Sequence, residues 1–377
     1  MDFRFTQEEE ELRARARRLI EEYAPVAAEI DASQDVPWDL VRRVASEGFF
    51  RLEVPQEYGG DGINVTGICI VREEFAGVCV NADSLFVTQG LGSYPIVNVG
   101  TEEQKRKYLP GIARGDGLAA FVLTEPEAGS DVAGITTTAR ADGDFYVLNG
   151  RKSLITNAGE AMVYTVFANS RPELGRRGIS AFIVEGDTAG ISAHKTKLMP
   201  AHIIGEMEFH DCRVPKGNLL GEEGQGFRIA MENLNVYRTS VGAAACGMAR
   251  AGLDEAIRFA RNRRMFGQTL ADFQSIQFRL ADMATNLEAA RMLVYRAASL
   301  RDQGQKDVRL EASMAKVFAT EAAHRIIDEA VQIWGGHGMV AGSRVERLYR
   351  DVRPLRIYEG ASEVQRIVIA RSLLGER

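Results

Sequence analysis

The sequence predicts an α+β fold, with a helical N-terminal domain, a middle antiparallel β domain and a C-terminal four-helix bundle. Apolar residues recur at helical spacing up to about residue 118. From there to about residue 227 the chain has short alternating or β-branched segments separated by glycine and Asp/Asn turns, and the helical period then returns. We therefore predict three domains, 1–118, 119–228 and 229–377, in a chain too long for one ordinary core.

The composition is that of a soluble globular protein, with 45% hydrophobic and 26% charged residues. A net charge of −6 argues against nucleic acid as the main partner. No apolar run reaches membrane-spanning length, and the N-terminus resembles no signal peptide, so we expect a cytoplasmic protein. The four cysteines lack the spacing of a metal or redox motif, which predicts buried reduced thiols at positions 69, 79, 212 and 246.

Local signals define the N-terminal helices. Thr6 followed by Glu9 predicts a capping box that opens a charged helix running to about Tyr23. A second helix follows Pro37. The small residues between positions 67 and 100 indicate helices that pack closely together.

A last N-terminal helix precedes the sheet. Thr101 and Gln104 cap it, and we expect it to end near Pro110. The strands that follow are predicted at 119–123, 145–148, 162–167, 179–184 and around Met207 and Phe209.

The C-terminal domain shows two apolar seams at helical spacing, which indicate long helices packed in a bundle. The first seam is formed by Ile276, Leu280, Met283, Leu287, Ala290, Val294 and Ala297. The second is formed by Ala315, Ala319, Ala322, Ile326 and Ile333.

The stretch 350–362 places Glu359 at a turn between two helices. Pro354 disfavours helix before it, and Gly360 marks the turn. Ser362 with Gln365 predicts a capping box for the last helix. A glutamate before a glycine turn is usually a solvated loop residue, so the turn alone assigns no function.

The surroundings of Glu359 act on its carboxyl in opposite directions. Leu355, Ile357 and Tyr358 are apolar neighbours that would raise its pKa and make it a base for a weakly acidic proton. The N-terminus of the next helix favours the ionised form. The sequence leaves the net direction open.

The sequence contains no common motif for a dinucleotide, a P-loop nucleotide or a catalytic serine. Its five histidines show no metal-ligand spacing. A carboxylate is therefore the best candidate for acid–base chemistry, and any redox chemistry would require a cofactor.

Five motifs, in order, resemble the acyl-CoA dehydrogenase family of flavoproteins over essentially the whole chain. They are FVLTEPEAGSDVAG at 121–134, NGRKSLITNA at 149–158, RRMFGQ at 263–268, QIWGGHG at 332–338 and IYEGASEVQR at 357–366. The resemblance implies FAD bound between the β domain and the C-terminal bundle. It also implies a homotetramer, a dimer of dimers, in which one subunit completes a neighbour's FAD site.

The chemistry implied by the resemblance is α,β-dehydrogenation of an acyl thioester in fatty acid or amino acid catabolism. A base removes the pro-R α-proton while the β-hydride passes to flavin N5, giving the trans-2-enoyl product. Because the α-C–H is a weak acid, the thioester carbonyl must be polarised by preorganised donors. In the family these are the flavin ribityl 2′-hydroxyl and the backbone N–H of the catalytic glutamate.

Carried over by position, Glu359 matches the catalytic base of the short- and medium-chain members. Another branch of the family has its base at the position of Tyr237, which is a poor replacement. The implied FAD contacts are Phe121, Leu123, Thr124, Ser130, Ile155, Thr156, Arg263, Phe266, Gln268, Gln274, Gln332, Gly335, Gly336, Ala361 and Glu363. The implied substrate contacts are Ser130, Tyr237, Arg238, Tyr358, Gly360 and Arg371.

For several of these positions, a purely structural role is the alternative to cofactor or substrate binding. Thr124 and Thr156 are also ordinary strand residues, Ser130 could simply cap a turn, and an arginine such as Arg263 is usually solvated. The glycines of 335–338 could simply terminate a helix.

Several positions depart from the family pattern. Leu154 stands where many members carry an aromatic residue over the flavin, and Ala361 stands where a threonine is usual. The loop 197–205 lacks the usual Arg, Ser, Asp and Thr, and Asn235 replaces a common Asp. Bulky Tyr237 would shorten or reshape the acyl pocket. The departures affect the expected substrate more than the redox core.

The leading hypothesis is FAD-dependent dehydrogenation of a short- or branched-chain acyl-CoA, with electrons passed to an electron-transfer flavoprotein. The replaced loop motivates an alternative in which an acyl- or peptidyl-carrier protein carries the acyl group. A flavin oxidase and a non-catalytic flavin-binding relative are further alternatives.

Overall fold

A computed structural model of the protein describes residues 4–375. The N-terminal part is helical and ends where the sheet begins. Its α-helices are α1 (Gln7–Tyr23), α2 (Ala27–Ala32), α3 (Trp38–Ser46), α4 (Val65–Ala76), α5 (Val80–Val99) and α6 (Glu102–Arg114). The capping boxes predicted at Thr6 and Thr101 are both present.

Helices α4 and α5 form the buried centre of this region. Small residues permit the close contacts predicted for this segment, because a Cβ on Gly92 would lie 2.6 Å from the backbone nitrogen of Ala120. Likewise, a Cβ on Gly247 of the C-terminal region would lie 2.0 Å from the carbonyl oxygen of Glu73 on α4. The first helices therefore pack directly against both the sheet and the bundle.

The middle region is one eight-stranded sheet. Its strands are β1 (Leu118–Val122), β2 (Thr138–Asp142), β3 (Phe145–Thr156), β4 (Ala161–Asn169), β5 (Ile179–Glu185), β6 (Ile191–Lys195), β7 (Ile204–Pro215) and β8 (Leu219–Leu220). They follow the order β6-β7-β3-β2-β4-β5-β8, with β1 beside β4. The long β3–β7 pair runs from Phe145 opposite Pro215 to Thr156 opposite Ile204.

The sheet is mostly antiparallel, as predicted, but β1 runs parallel to β4. The strands β2, β6 and β8 were not predicted. β2 and β6 carry several polar or exposed residues, and β8 has only two residues, so none gives a strong apolar alternation. β3 also extends eight residues beyond the predicted end at Leu148, through Gly150 and a bulge.

Long helices dominate the C-terminal region. α7 (Gly226–Asn262), α8 (Gln274–Asp302) and α9 (Arg309–Trp334) pack together, and α11 (Ser362–Leu374) lies against α9. A hairpin of β9 (Arg264–Met265) and β10 (Gln268–Thr269) joins α7 to α8, and α10 (Arg344–Asp351) follows α9. Most of the two predicted seams is buried, whereas Ile276 and Leu280 near the start of α8 are half-buried.

Two local predictions were wrong. The helix expected to end near Pro110 continues to Arg114, because the buried residues Leu109 and Ile112 hold its last turns against the core. The capping box at Ser362 does not form, since its hydroxyl donates to Glu321 Oε1 at 2.7 Å. Ala361 is the residue at the N-cap position.

All four cysteines are buried and free, as predicted. Burial raises the pKa of each thiol, which keeps it protonated and unreactive. Between residues 4 and 375, no helix is both long and apolar enough to cross a membrane.

Candidate active site

Glu359 lies in the turn between α10 and α11, in a left-handed backbone conformation. Its φ is 51° and that of Gly360 is 93°. A non-glycine residue in this region carries a cost of about 1–3 kcal/mol and persists only when its surroundings hold it there. Two buried cations do so here. Arg238 Nε donates to the Glu359 carbonyl at 3.2 Å, and Lys316 Nζ donates to the Gly360 carbonyl at 2.8 Å.

A buried ion pair lies near this turn. Arg72 of α4 donates through Nε and Nη2 to the two carboxylate oxygens of Asp83 on α5, at 2.7 and 2.8 Å. Its remaining Nη1 donates to Ser240 Oγ on α7 at 2.9 Å. The guanidinium is thus oriented by two other helices, and its charge acts on both Tyr358 and Glu359.

One oxygen of the Glu359 carboxyl is buried. Its Oε2 has no hydrogen-bond partner within the described part of the chain. Burial raises the pKa of Glu359 above its ordinary value, and the positive charges of Arg72, Arg238 and Lys316 act in the opposite direction. The sequence alone left the direction of this pKa shift open. In the structure the effect of burial is the larger one, which makes Glu359 a stronger base than a solvated glutamate.

The β domain presents a second group of predicted site residues at the end of β3. The amide N–H of Ser153 donates to the Thr124 carbonyl at 3.0 Å, which brings Thr124 beside Leu154 and Thr156. Leu154 has a φ of 56° at the β-bulge, and 52% of its surface is exposed. Phe121, Leu123 and Ile155 of the predicted set are at least partly buried beneath this edge, whereas Ser130 is exposed.

Below this edge, a buried pair fixes the strand position. Lys152 Nζ donates to Glu125 Oε1 and to the Leu123 carbonyl, both at 2.9 Å. Burial lowers the pKa of Lys152 to about 8. Burial alone would raise the pKa of Glu125, but Lys152 and the donors of Thr136 and Thr137 hold it at about 2. The pair ties the segment carrying Thr124 to β3.

The divergent loop before β7 enters the same site. His202 Nε2 lies 2.9 Å from Thr156 Oγ1 and 3.5 Å from Ser84 Oγ on α5. Burial, together with the charge of Arg72, lowers the pKa of His202 to about 4, so its imidazole is neutral at neutral pH. The loop is anchored by the Ala201 N–H, which donates to Asp351 Oδ1 at 3.1 Å.

A further group of the implied FAD contacts lies on exposed surface, between the end of α7 and the start of α8 and at the end of α9. Phe266 of the β9–β10 hairpin is 86% exposed and has a φ of 50°. The other exposed members are Arg263, Gln268, Gln274, Gln332, Gly335 and Gly336. Glu363 and Arg371 of α11 are also exposed, and Ala361 is half-buried at the start of that helix.

Of the predicted substrate contacts, four surround Glu359. Tyr237 and Arg238 are buried on α7, and Tyr358 and Gly360 flank the glutamate in the turn. Burial raises the pKa of Tyr237 and Tyr358 and lowers that of Arg238, and the charge of Glu359 acts on all three in the upward direction. Tyr237 and Arg238 therefore belong to the same electrostatic cluster as the candidate base.

Sequence reasoning missed Arg72, Asp83, Lys316 and His202. The available signal was a charged residue within an otherwise apolar helical segment, as for Arg72 after Ile70 and Val71 and for Lys316 within an alanine seam. Charges at such positions are rarely fully buried without partners. Their partners are distant in the sequence, however, and could not be identified from it.

Three protein-family models match this chain, and together they cover most of its length. Models of the acyl-CoA dehydrogenase N-terminal, middle and C-terminal domains match residues 6–116, 120–212 and 224–374. The chain is 43% identical to a 3-(aryl)acrylate reductase of Clostridium sporogenes, covering 98% of this chain and 99% of the relative. It is also 43% identical to the caffeyl-CoA reductase-Etf complex subunit CarC of Acetobacterium woodii, with the same two coverages.

The fold also matches a solved structure. Butyryl-CoA dehydrogenase from Megasphaera elsdenii superimposes with a TM-score of 0.95 at 39% sequence identity, covering 99% of this chain and 100% of that chain.

Proposed function

The chain belongs to the acyl-CoA dehydrogenase family, flavin-dependent oxidoreductases acting on acyl-CoA, and from that premise we propose the following reaction. The protein removes hydrogen from the Cα–Cβ bond of a short- or branched-chain acyl-CoA, and the electrons leave to an electron-transfer flavoprotein. The product is the trans-2-enoyl-CoA. The observation that carries this proposal is the buried, unpaired carboxyl oxygen of Glu359.

In this reaction Glu359 is the base that accepts the α-proton. Its raised pKa, caused first by burial, makes it a stronger base than a solvated glutamate. Its own backbone N–H donates to no carbonyl of residues 4–375, so it is free to polarise the thioester carbonyl. Arg238 and Lys316 donate to the carbonyls of Glu359 and Gly360 within the turn and thereby hold that N–H in place.

The residues present fit FAD, which when bound supplies the two-electron acceptor for the β-hydrogen. Thr124 and Thr156 offer hydroxyl and backbone groups at the end of β3, and exposed Leu154 offers an apolar contact. At the other end of the implied site, Arg263 offers a cation for a pyrophosphate. A Cβ on Gly335 or Gly336 would meet no atom within 4 Å, so the backbone there is accessible.

A homotetramer is part of the proposal. Phe266 is 86% exposed, and Leu373 and Leu374 on α11 are 71% and 74% exposed. Exposed apolar side chains next to implied cofactor contacts support an interface in which a second copy covers them. Light scattering of the holoenzyme should give the mass of four chains of 41.5 kDa.

The reverse reaction is a second candidate. Two relatives are named as reductases, one of them as part of a complex with Etf. The raised pKa of Glu359 also favours its protonated form, which would return a proton to Cα when an enoyl thioester is reduced. The same residue therefore serves either direction, as microscopic reversibility requires.

Anaerobic titration of the holoenzyme with acyl-CoAs of increasing length and branching tests the main proposal. Loss of the oxidised flavin absorbance near neutral pH is expected with at least one short or branched member. No loss with any CoA thioester, combined with reduction by a carrier-protein-bound acyl group, would reject the CoA assignment. Hydrogen peroxide formation in air without an added acceptor would instead indicate an oxidase.

The direction is tested separately. Photoreduced holoenzyme mixed with enoyl-CoAs should be reoxidised if it acts as a reductase. No spectral response to any acyl or enoyl thioester would favour a non-catalytic flavin-binding protein.

A further inference from the structure

The buried carboxyl of Glu53 lies near Tyr237 and has no role in the reaction proposed above. Glu53 ends the short 3₁₀ turn Phe49–Glu53 and is fully buried. Neither of its carboxyl oxygens has a hydrogen-bond partner within the described chain. Since buried polar groups are nearly always hydrogen-bonded, two unsatisfied oxygens on one side chain call for an explanation.

The hydroxyl of Tyr237 is unsatisfied in the same place. Tyr237 is 1% exposed, and its Oη has no partner among residues 4–375. Both groups face Gly90 of α5, where a Cβ would lie 2.0 Å from Tyr237 Oη and 2.7 Å from Glu53 Cδ. The glycine thus permits a carboxyl and a phenol from separate segments to converge at one point.

This point is connected to the reaction centre through Tyr237. Tyr237 directly precedes Arg238, whose Nε donates to the Glu359 carbonyl at 3.2 Å. Burial first, and then the charges of Glu53 and Glu359, raise the pKa of the phenol. The ring of Tyr94 packs edge-on against that of Tyr237, at 6.1 Å between centroids. Tyr237 therefore links the candidate base to the Glu53 carboxyl.

We propose that the Glu53 carboxyl and the Tyr237 hydroxyl form a polar subsite that binds a neutral hydroxyl group carried by the acyl chain beyond its β-carbon. The inference rests on the proposed acyl-thioester function and specifies its substrate class. A hydroxyl both donates and accepts, and so do a phenol and a protonated carboxyl.

The charges around the subsite select a neutral group. Burial raises the pKa of Glu53 well above its ordinary value and thereby favours the neutral form of the carboxyl, although the Gly90 backbone and the charge of Arg72 act in the other direction. An ammonium group would lack an ionised partner there. A carboxylate would also lack a free cation, because Arg72 is already engaged by Asp83 and Ser240.

The experiment uses pairs of acyl-CoAs of equal size, each pair an ω-hydroxyacyl chain and the alkyl chain with a methyl in place of the hydroxyl. Dissociation constants come from the perturbation of the flavin spectrum of the holoenzyme. At the chain length that reaches the subsite, the hydroxylated member should bind at least about tenfold more tightly. A site built to bind a hydroxyl discriminates strongly against an analogue lacking it.

Three variants assign the preference to these side chains. Tyr237→Phe and Glu53→Leu should each remove most of it, whereas Glu53→Gln, whose amide also donates and accepts, should retain it. Glu53→Gln is therefore the matched control, because it removes the acid and keeps a side chain that can form hydrogen bonds.

A wild-type enzyme that binds the alkyl member equally well at every length would overturn the inference, because the subsite would then hold only a structural water. Retention of the preference in both Glu53→Leu and Tyr237→Phe would overturn it as well. These results differ from failure of the proposed function, in which neither series perturbs or reduces the flavin.

Discussion

Lys316 Nζ lies 2.8 Å from the carbonyl oxygen of Gly360, directly after the candidate base Glu359. The lysine comes from the middle of the bundle helix α9 and is fully buried. Burial lowers the pKa of Lys316 to about 8, and the charge of Lys316 opposes the rise that burial causes in the pKa of Glu359. The contact therefore has two consequences: it fixes the turn, and it limits how basic Glu359 becomes.

Replacing Lys316 by Gln separates these two effects. The amide can still donate to the Gly360 carbonyl, but the positive charge that lowers the pKa of Glu359 is lost. The pKa of Glu359 should then rise, and the pH profile of thioester-driven flavin reduction should move to higher pH. Stopped-flow reduction rates between pH 5 and 9 measure the shift. A profile unchanged from wild type would show that Lys316 has no electrostatic effect on the base.

Glu359→Gln should remove the base while leaving the cofactor site intact. Because general-base catalysis contributes about 10²–10⁴-fold, flavin reduction by a substrate thioester should slow by at least that factor. FAD content and the visible spectrum should stay those of the wild type. The exposed Glu103→Gln on α6 is the matched control and should reduce at the normal rate. Near-normal reduction by Glu359→Gln would eliminate Glu359 as the base.

The buried pair of Arg72 and Asp83 should be important for stability. Asp83→Asn leaves the guanidinium buried with its charge uncompensated, which typically costs about 3–5 kcal/mol. The double replacement Arg72→Met with Asp83→Leu should cost less than the two single changes added together. Urea unfolding of the four proteins tests this coupling. Strictly additive losses would show that the two side chains do not depend on each other.

Asp351 should make the protein less stable as pH rises. Burial, followed by repulsion from Asp31, raises its folded-state pKa from 3.8 to about 7. The folded state therefore holds this proton more tightly than the unfolded state. That stability is fully present below about pH 4 and is lost as pH rises to about 7, at roughly 1.4 kcal/mol per pKa unit.

Asp351→Asn tests this linkage, since the amide oxygen can still accept from the Ala201 N–H. The variant should gain stability relative to wild type as pH increases from 5 to 8. Urea midpoints at several pH values measure the difference, with Asp282→Asn as the surface control. A constant difference between variant and wild type across this range would contradict the raised pKa of Asp351.

Several features could be predicted because their causes are local. The capping boxes at Thr6 and Thr101 each involve residues three apart, and both form. The same pattern at Ser362 failed because Glu321, from another helix, accepts from its hydroxyl. Pro110 likewise did not end its helix, since burial of Leu109 and Ile112 outweighed the backbone preference.

The groups around Glu359 could not be assigned from the sequence because their partners are remote. Arg72 bonds to Asp83, 11 residues away, and to Ser240, 168 residues away. Lys316 reaches Gly360 across 44 residues. The position of His202 beside Thr156 depends on how the divergent loop is anchored to Asp351, and a single sequence shows only that the loop is unusual.

The sequence by itself determined the succession of helices, sheet and helices, and it placed a glutamate in a turn between two of those helices. Periodicity and turn chemistry depend on near neighbours, so they can be read along the chain. Only the tertiary structure decided that one oxygen of this carboxyl is buried, that three cations act on it, and that its pKa rises nonetheless. Desolvation and charge act through space, and the residues that supply them come from α4, α7 and α9, which meet only when the chain is folded.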